Sequence, residues 1–167
     1  MKYAIVYSSR TGNTRLLAET IRAALPEGDC LYFGPPDPAA LDAERLYAGF
    51  WTNQGTCDGD SARFLREVDG REVFLFGTAG FGGMPAYFDK ILQRTAENLR
   101  GSVTLVGSFM CQGKMPPSVR QRYEKMLDSG TAPQSNIRGM IDNFDRALSH
   151  PDSDDLEALR RAVGKLS

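Results

Sequence analysis

Between an apolar run, Tyr3 to Tyr7, and an amphipathic run, Arg15 to Leu25, the chain reads Ser8-Ser9-Arg10-Thr11-Gly12-Asn13-Thr14. A strand enters this loop and a helix leaves it. The strand is apolar at nearly every position, as a strand covered on both faces should be, so the chain must supply helices for two sides of a sheet. The helix begins at Asn13 or Thr14 and aims its unpaired first-turn N–H groups back into the loop. A helix start carries roughly half a positive charge, so a loop with four side-chain hydroxyls in seven residues suits an anion there. A phosphate ester needs no lysine in such a place. The plain alternative is a strand-to-helix turn whose serine or threonine merely caps the helix. Two other phosphate loops are excluded by residue type. No glycine opens the stretch and no lysine follows Gly12, as G-x-x-x-x-G-K-[ST] requires, and a lone glycine cannot make G-x-G-x-x-G.

The rest of the chain alternates strands and helices. The first helix, about Thr14 to Leu25, puts Leu17, Ile21, Ala24 and Leu25 on one face and is stopped by Pro26 and Gly28. A second strand is expected at Cys30 to Phe33. The stretch after it, Gly34 to Glu44, holds three prolines and has room for little more than one helical turn, so the second crossover helix is vestigial. Further strands fall at Leu46 to Trp51, Glu72 to Phe76 and Val103 to Met110. Helices are expected at Asp58 to Val68, from near Pro85 to Leu99, and at about Ser118 to Leu127, Gln134 to Leu148 and Asp154 to Leu166. This alternation predicts an α/β fold in three layers: a doubly wound, five-stranded parallel sheet in the order 2-1-3-4-5 with extra C-terminal helices, one domain over 1–167. Strands 1, 3 and 4 are neighbours in that order, and the three unusual loops, 8–14, 51–57 and 77–83, follow those strands. They converge on one crevice. Trp51, the sole tryptophan, ends a strand, and Phe81 stands between Gly80 and Gly82 in a stretch with four glycines among seven residues. Glycines let the backbone approach a ligand closely, and two aromatics from two loops can cover both faces of a flat ring.

Ile5-Val6-Tyr7, Ser9, Gly12, Thr14, Ala18 and Ile21 stand at the spacing of the flavodoxin phosphate signature, and the chain resembles that family. Flavodoxins are themselves a type example of ligand binding at the switch point of such a sheet. The resemblance runs on through Gly49-Phe50-Trp51-Thr52 with Gly55-Thr56-Cys57, through Phe76 to Gly83, and through Phe109-Met110-Cys111-Gln112-Gly113-Lys114. There the chain looks like a bacterial subgroup, some members of which are encoded beside bilirubin reductases. The resemblance implies FMN as cofactor. It places Ser8, Ser9, Arg10, Thr11, Gly12, Asn13 and Thr14 at the phosphate, with Trp51, Thr52, Asn53, Gln54 and Gly55 from the second loop. From the third loop it brings Thr78, Ala79, Gly80, Phe81, Gly82 and Gly83 to the flavin. Flavodoxins usually carry Tyr or Trp where Phe81 stands; phenylalanine stacks but cannot hydrogen-bond. Gly55 is the candidate for a peptide that reorients toward the reduced ring, since glycine tolerates both backbone signs.

The implied function is an electron-transfer protein that cycles through a flavin semiquinone to serve a redox partner such as a reductase. The alternative is an NAD(P)H-dependent FMN oxidoreductase of the quinone or flavin reductase type. Aromatics on both faces leave little room for a nicotinamide, and loops without a committed positive charge resist a second electron; both points favour the carrier. A signalling receiver of the same topology needs an acidic pair and an aspartate where this chain has Ser8-Ser9 and Trp51-Thr52.

Composition narrows the partners. With 20 basic and 21 acidic residues the net charge is -1 and there is no basic run, so neither nucleic acid nor a membrane is expected as partner. Typical flavodoxins are strongly acidic, so charge steering by this near-neutral chain is weak. A redox protein is the expected partner of a monomer or weak dimer. No stretch reaches the roughly 20 apolar residues of a membrane span, and the run before Ser8 is too short for a secretion signal, so a cytoplasmic location is expected. The three cysteines form no C-x-x-C pair, and the single histidine, His150, provides neither a zinc set nor a base for a nucleophile. Cys57, read as lying at a helix start, and Cys111, on the same rim, are candidate redox thiols. The plainer reading makes each a small residue packed near the ligand.

Overall fold

A computed structural model of the chain describes residues 1–82 and 84–166. In chain order the elements are β1 (Tyr3–Tyr7), α1 (Asn13–Ala24), β2 (Cys30–Gly34), β3 (Arg45–Asn53), β4 (Thr56–Cys57), α2 (Gly59–Glu67), β5 (Glu72–Ala79), α3 (Pro85–Ala96), β6 (Thr104–Gln112), α4 (Pro117–Ser129), α5 (Gln134–Ala147) and α6 (Ser153–Gly164). Along the path β2-β1-β3-β5-β6 every pairing is parallel, so the expected order holds. The second crossover is reduced to a 3-10 turn, Pro38–Asp42.

The strand count is corrected from five to six. β3 continues past Trp51 to Asn53, reverses through Gln54 (φ 53°) and Gly55 (φ 83°), and returns as β4. Thr52 pairs with Cys57 and Asn53 with Thr56, antiparallel. Two successive positive φ angles give a two-residue hairpin turn the twist that its strands need. The second loop of the sequence reading is therefore a hairpin, held by ladder bonds on the end of a central strand.

Both faces of the sheet are covered. One buries Tyr3, Ile5, Tyr47, Phe74 and Phe76 under Leu17 and Ile21 of α1 and Leu159 and Val163 of α6. The other buries Ala4, Val6, Leu46, Ala48, Val73 and Leu75 against Phe64 and Leu65 of α2 and Leu92 of α3. At the carboxyl ends of β3 and β5 the packing is an exchange: Gly49 is paired with Phe76, and Phe50 with Gly77. A Cβ at position 49 would stand 2.3 Å from the Phe76 ring, and one at position 77 would stand 2.3 Å from the Phe50 ring. Each ring lies across its partner's glycine, one on either face, and fixes the strand ends from which the second and third loops depart. Of the extra C-terminal helices, α6 is part of a sheet layer. The insertion is the α4–α5 pair, a helical hairpin around its own small core of Tyr123, Ile137 and Phe144. Among the described residues no helix is long and apolar enough to cross a membrane.

Gly77→Ala forces the Phe50 ring off its seat, and overpacking of this kind costs about 1–3 kcal/mol. The expected result is a lower urea midpoint with an unchanged slope, partly restored by adding Phe50→Leu. Gly101→Ala, where nothing stands within 4 Å of a new Cβ, is the control and should leave the midpoint in place.

Candidate functional site

Helix α1 starts without a side-chain cap, because its N-cap is Gly12 at φ 89°. The left-handed backbone there turns the loop so that the Ser9 hydroxyl accepts from the N–H groups of Gly12 (3.1 Å) and Arg15 (3.4 Å). One oxygen thus sits where the first-turn donors point, a position that suits a phosphate oxygen. Ser8 continues the pairing of β1 with β3 by donating its N–H to the Gly49 carbonyl (3.0 Å).

Not every polar side chain of the loop faces a ligand. Thr14 is 1% exposed, and its Oγ1 donates to the Phe50 carbonyl (3.1 Å), so its hydroxyl ties the loop to β3. Thr11 Oγ1 (3.3 Å) and Asn13 Nδ2 (2.8 Å) both donate to the Lys114 carbonyl. They fasten the loop to the segment after β6. Asn13 is 7% exposed, and its Oδ1 is a buried acceptor with no donor among the described residues. An acceptor left so costs about 1–3 kcal/mol.

A crevice of about 290 Å³ opens at the carboxyl edge of the sheet. Arg10, Thr11 and Asn13 line it from the first loop, 51–55 from the β3–β4 hairpin, and 78–81 from the end of β5 and the turn after it. Of the other residues expected from sequence, Ser8, Ser9, Gly12, Thr14 and Gly82 are not part of this lining, Gly12 opening instead on a neighbouring hollow with Leu16 and His150, and Gly83 lies outside the described residues. The sequence reading left out Tyr87 of α3 and a whole fourth wall: Gly113, Lys114, Met115, Pro116 and Val119. Gly113-Lys114, just past a strand end on the same edge, was the available signal. Met115 and Val119 carry no local mark, and their place follows only from how α4 packs.

The main chain of Trp51 is held on both sides by Asp58. Its N–H donates to Asp58 Oδ1 (3.2 Å) and its carbonyl accepts from the Asp58 N–H (3.0 Å), while Asp58 Oδ2 caps α2 through the Ser61 N–H (3.2 Å). The Arg10 guanidinium lies 5.5 Å from the Trp51 ring centroid, within cation–π range. This corrects the expectation that the loops lack a placed positive charge. Thr52 Oγ1 donates to the Thr78 carbonyl (2.8 Å) and joins the second loop to the third. The Gly55 carbonyl accepts from Arg94 Nη1 of α3 (3.3 Å), and a Cβ at position 55 would stand 2.6 Å from that nitrogen. Phe81 is 42% exposed at the mouth.

Neither candidate thiol has a lowered pKa. Cys57 ends β4 immediately before the Asp58 N-cap of α2, and burial pushes its thiol up. Cys111, in β6 and 3% exposed, is also pushed up, by burial first and then by the carboxylates of Asp155 and Asp152. Both stay protonated near neutral pH and act as packing residues. His150 is outside the crevice lining, with Nδ1 2.6 Å from Asp155 Oδ2 at the start of α6. Burial also raises the Tyr87 phenol, which keeps it a neutral group in the wall.

A family model described as a flavodoxin domain matches residues 4–164. The chain is 46% identical, over a 178-residue alignment, to the flavodoxin-like domain-containing protein BilS of Clostridium symbiosum, covering 96% of this chain and 93% of that one. Among solved structures it is similar to a short-chain flavodoxin associated with a non-canonical PDU bacterial microcompartment, with a TM-score of 0.63, 13% identity and coverage of 99% and 96%. It is also similar to oxidised flavodoxin 2 of Bacillus cereus, with a TM-score of 0.55, 16% identity and full coverage of both chains (100%). At such identities the structures speak for the fold alone, whereas the family match spans nearly the whole chain. The chain therefore belongs to the flavodoxin family, as an FMN-type flavodoxin-like protein with its crevice at the switch point of the sheet.

Proposed function

We propose that the crevice binds FMN and that the chain is an electron carrier, passing single electrons through a one-electron-reduced flavin to serve a redox partner such as a reductase. The observation that carries this reading is a convergence on one crevice. The loop before α1, through Arg10, Thr11 and Asn13, and aromatic rings from two strand ends line it together. The residues fit the group. First-turn N–H groups of α1, with Ser9, suit the phosphate; Trp51 and Phe81 suit the ring. Bound FMN supplies the electron chemistry, and the chain's own residues hold it, orient it and exclude water from its faces. Thr14 contributes its main-chain N–H and not its hydroxyl.

The reductase alternative draws less support. Trp51 and Phe81, from two of the loops that line the crevice, leave little room for a nicotinamide stacked on a ring held between them. The described lining also holds no carboxylate and no histidine to move a proton to a substrate. The redox partner meets the site at the rim, where Phe81 is exposed.

Apoprotein titrated with FMN and with riboflavin should prefer FMN by about a hundredfold or more. Hydrogen bonds to a charged group contribute about 1.5–3 kcal/mol each, and the helix start offers several donors. Equal affinities contradict the phosphate site. Arg10 governs the second expectation. A cation beside the ring eases the negative charge that the second electron brings, so Arg10→Gln should separate the two potentials further, by roughly 30–60 mV after solvent screening. Stepwise anaerobic reduction then shows a larger maximum of the one-electron absorbance band in the variant. Rapid bleaching by NADPH with no such band favours the reductase reading instead.

A further inference from the structure

The turn that presents Phe81 is clamped from outside its own strand. The Gly80 carbonyl accepts two amide donors, Gln112 Nε2 from the end of β6 (2.9 Å) and Asn143 Nδ2 from α5 (3.0 Å). Gln112 Nε2 also donates to Asn143 Oδ1 (3.0 Å), so the three groups close a mutual lock in which both lone pairs of one carbonyl are used. Asn143 is 8% exposed and lies 63 residues from Gly80. The turn itself is pressed flat: a Cβ at position 80 would stand 2.5 Å from Met115 Sδ, and one at position 82 would stand 2.8 Å from the Gln112 side chain. The hairpin that carries Asn143 has its own core, distinct from the two cores of the sheet.

From this geometry we infer that Asn143 is a positioning residue, through which the inserted α4–α5 hairpin holds the Phe81 turn as a wall of the crevice. The inference deepens the FMN reading and rests on it for what the wall faces. Phe81 is 42% exposed and flanked by glycines, so it has no regular element to order it and depends on a fixed carbonyl one residue upstream. Gln112 alone cannot fix that carbonyl, since its amide is itself oriented by Asn143. Asn143 thus acts on the cofactor site without lining it.

Two measurements test the clamp, with Asn143→Asp, which keeps the shape and removes the amide N–H, and Asn143→Leu. The first needs no flavin. Chymotrypsin cleavage of the apoprotein after Phe81 should quicken about fivefold or more in both variants and in Gln112→Leu, while the urea midpoint shows the fold intact. The second is FMN affinity, expected to fall about five- to thirtyfold in Asn143→Asp. In a Phe81→Ala background the same change should cost less than twofold, because the two residues act as a unit. A purely structural role gives the same loss in both backgrounds, and that result overturns the inference, as does wild-type cleavage at Phe81 in all three variants. If the unaltered protein binds no FMN, the carrier reading falls and the cleavage measurement still decides the clamp. Should Asn143→Leu not fold, the near-isosteric Asn143→Asp carries both measurements.

Discussion

A helix cannot satisfy its own first N–H groups, and α1 begins on a glycine that has no side chain to do it. Those donors must find an acceptor from elsewhere, and the sheet is built so that they open onto one edge. β1 is central, with β2 on one side and β3 on the other, so the start of α1 stands where the helix connections divide. The Ser9 hydroxyl provides a first oxygen. Around this point the other polar groups are committed to holding the loop still: Thr14 to the Phe50 carbonyl, and Thr11 and Asn13 to the Lys114 carbonyl. A phosphate bound there meets donors that are already oriented, which is what makes a cluster of main-chain N–H groups selective for a dianion.

The aromatic walls depend on the same edge. Phe50 and Phe76 lie across the glycines of each other's strand, one on either face, and so lock β3 and β5 together just short of the residues that leave the sheet. Trp51 follows at once and is pinned by Asp58; Phe81 comes four residues after Gly77, on a turn that the strand alone does not order. The two walls differ in origin. Trp51 stands on a hairpin extension of a central strand, whereas Phe81 is held by amides from β6 and from the α4–α5 insertion. Charge differs from that of an acidic flavodoxin as well: the chain is near neutral, the crevice lining carries Arg10 and Lys114, and Arg10 lies beside the indole.

Much of this was legible in the sequence, for local reasons. The strand, the polar loop and the amphipathic helix at 3–25 are contiguous, and Trp51 and Phe81 announce themselves by standing among residues that cannot bury them. What escaped was non-local or directional. A hydroxyl is visible in a sequence, but the way it points is not, so Thr14 was read as facing a phosphate when it faces β3. The two-residue strand β4 leaves no periodic signal, and Gln54-Gly55 is not a common hairpin pair. The fourth wall and Asn143 belong to an insertion whose packing on the turn involves residues far apart in the chain, and no window of local pattern contains both.

The central claim, a phosphate ester held as its dianion at the start of α1, is tested most directly by phosphorus NMR of the FMN-reconstituted protein followed from about pH 5 to about pH 8. A phosphate ester in water takes up a proton near pH 6 (about 6 for its second ionisation), and several N–H donors to the charged form lower that value. The account predicts a bound resonance whose shift stays constant across the range. A resonance that titrates near pH 6, as a solvent-exposed phosphate ester does, would contradict it.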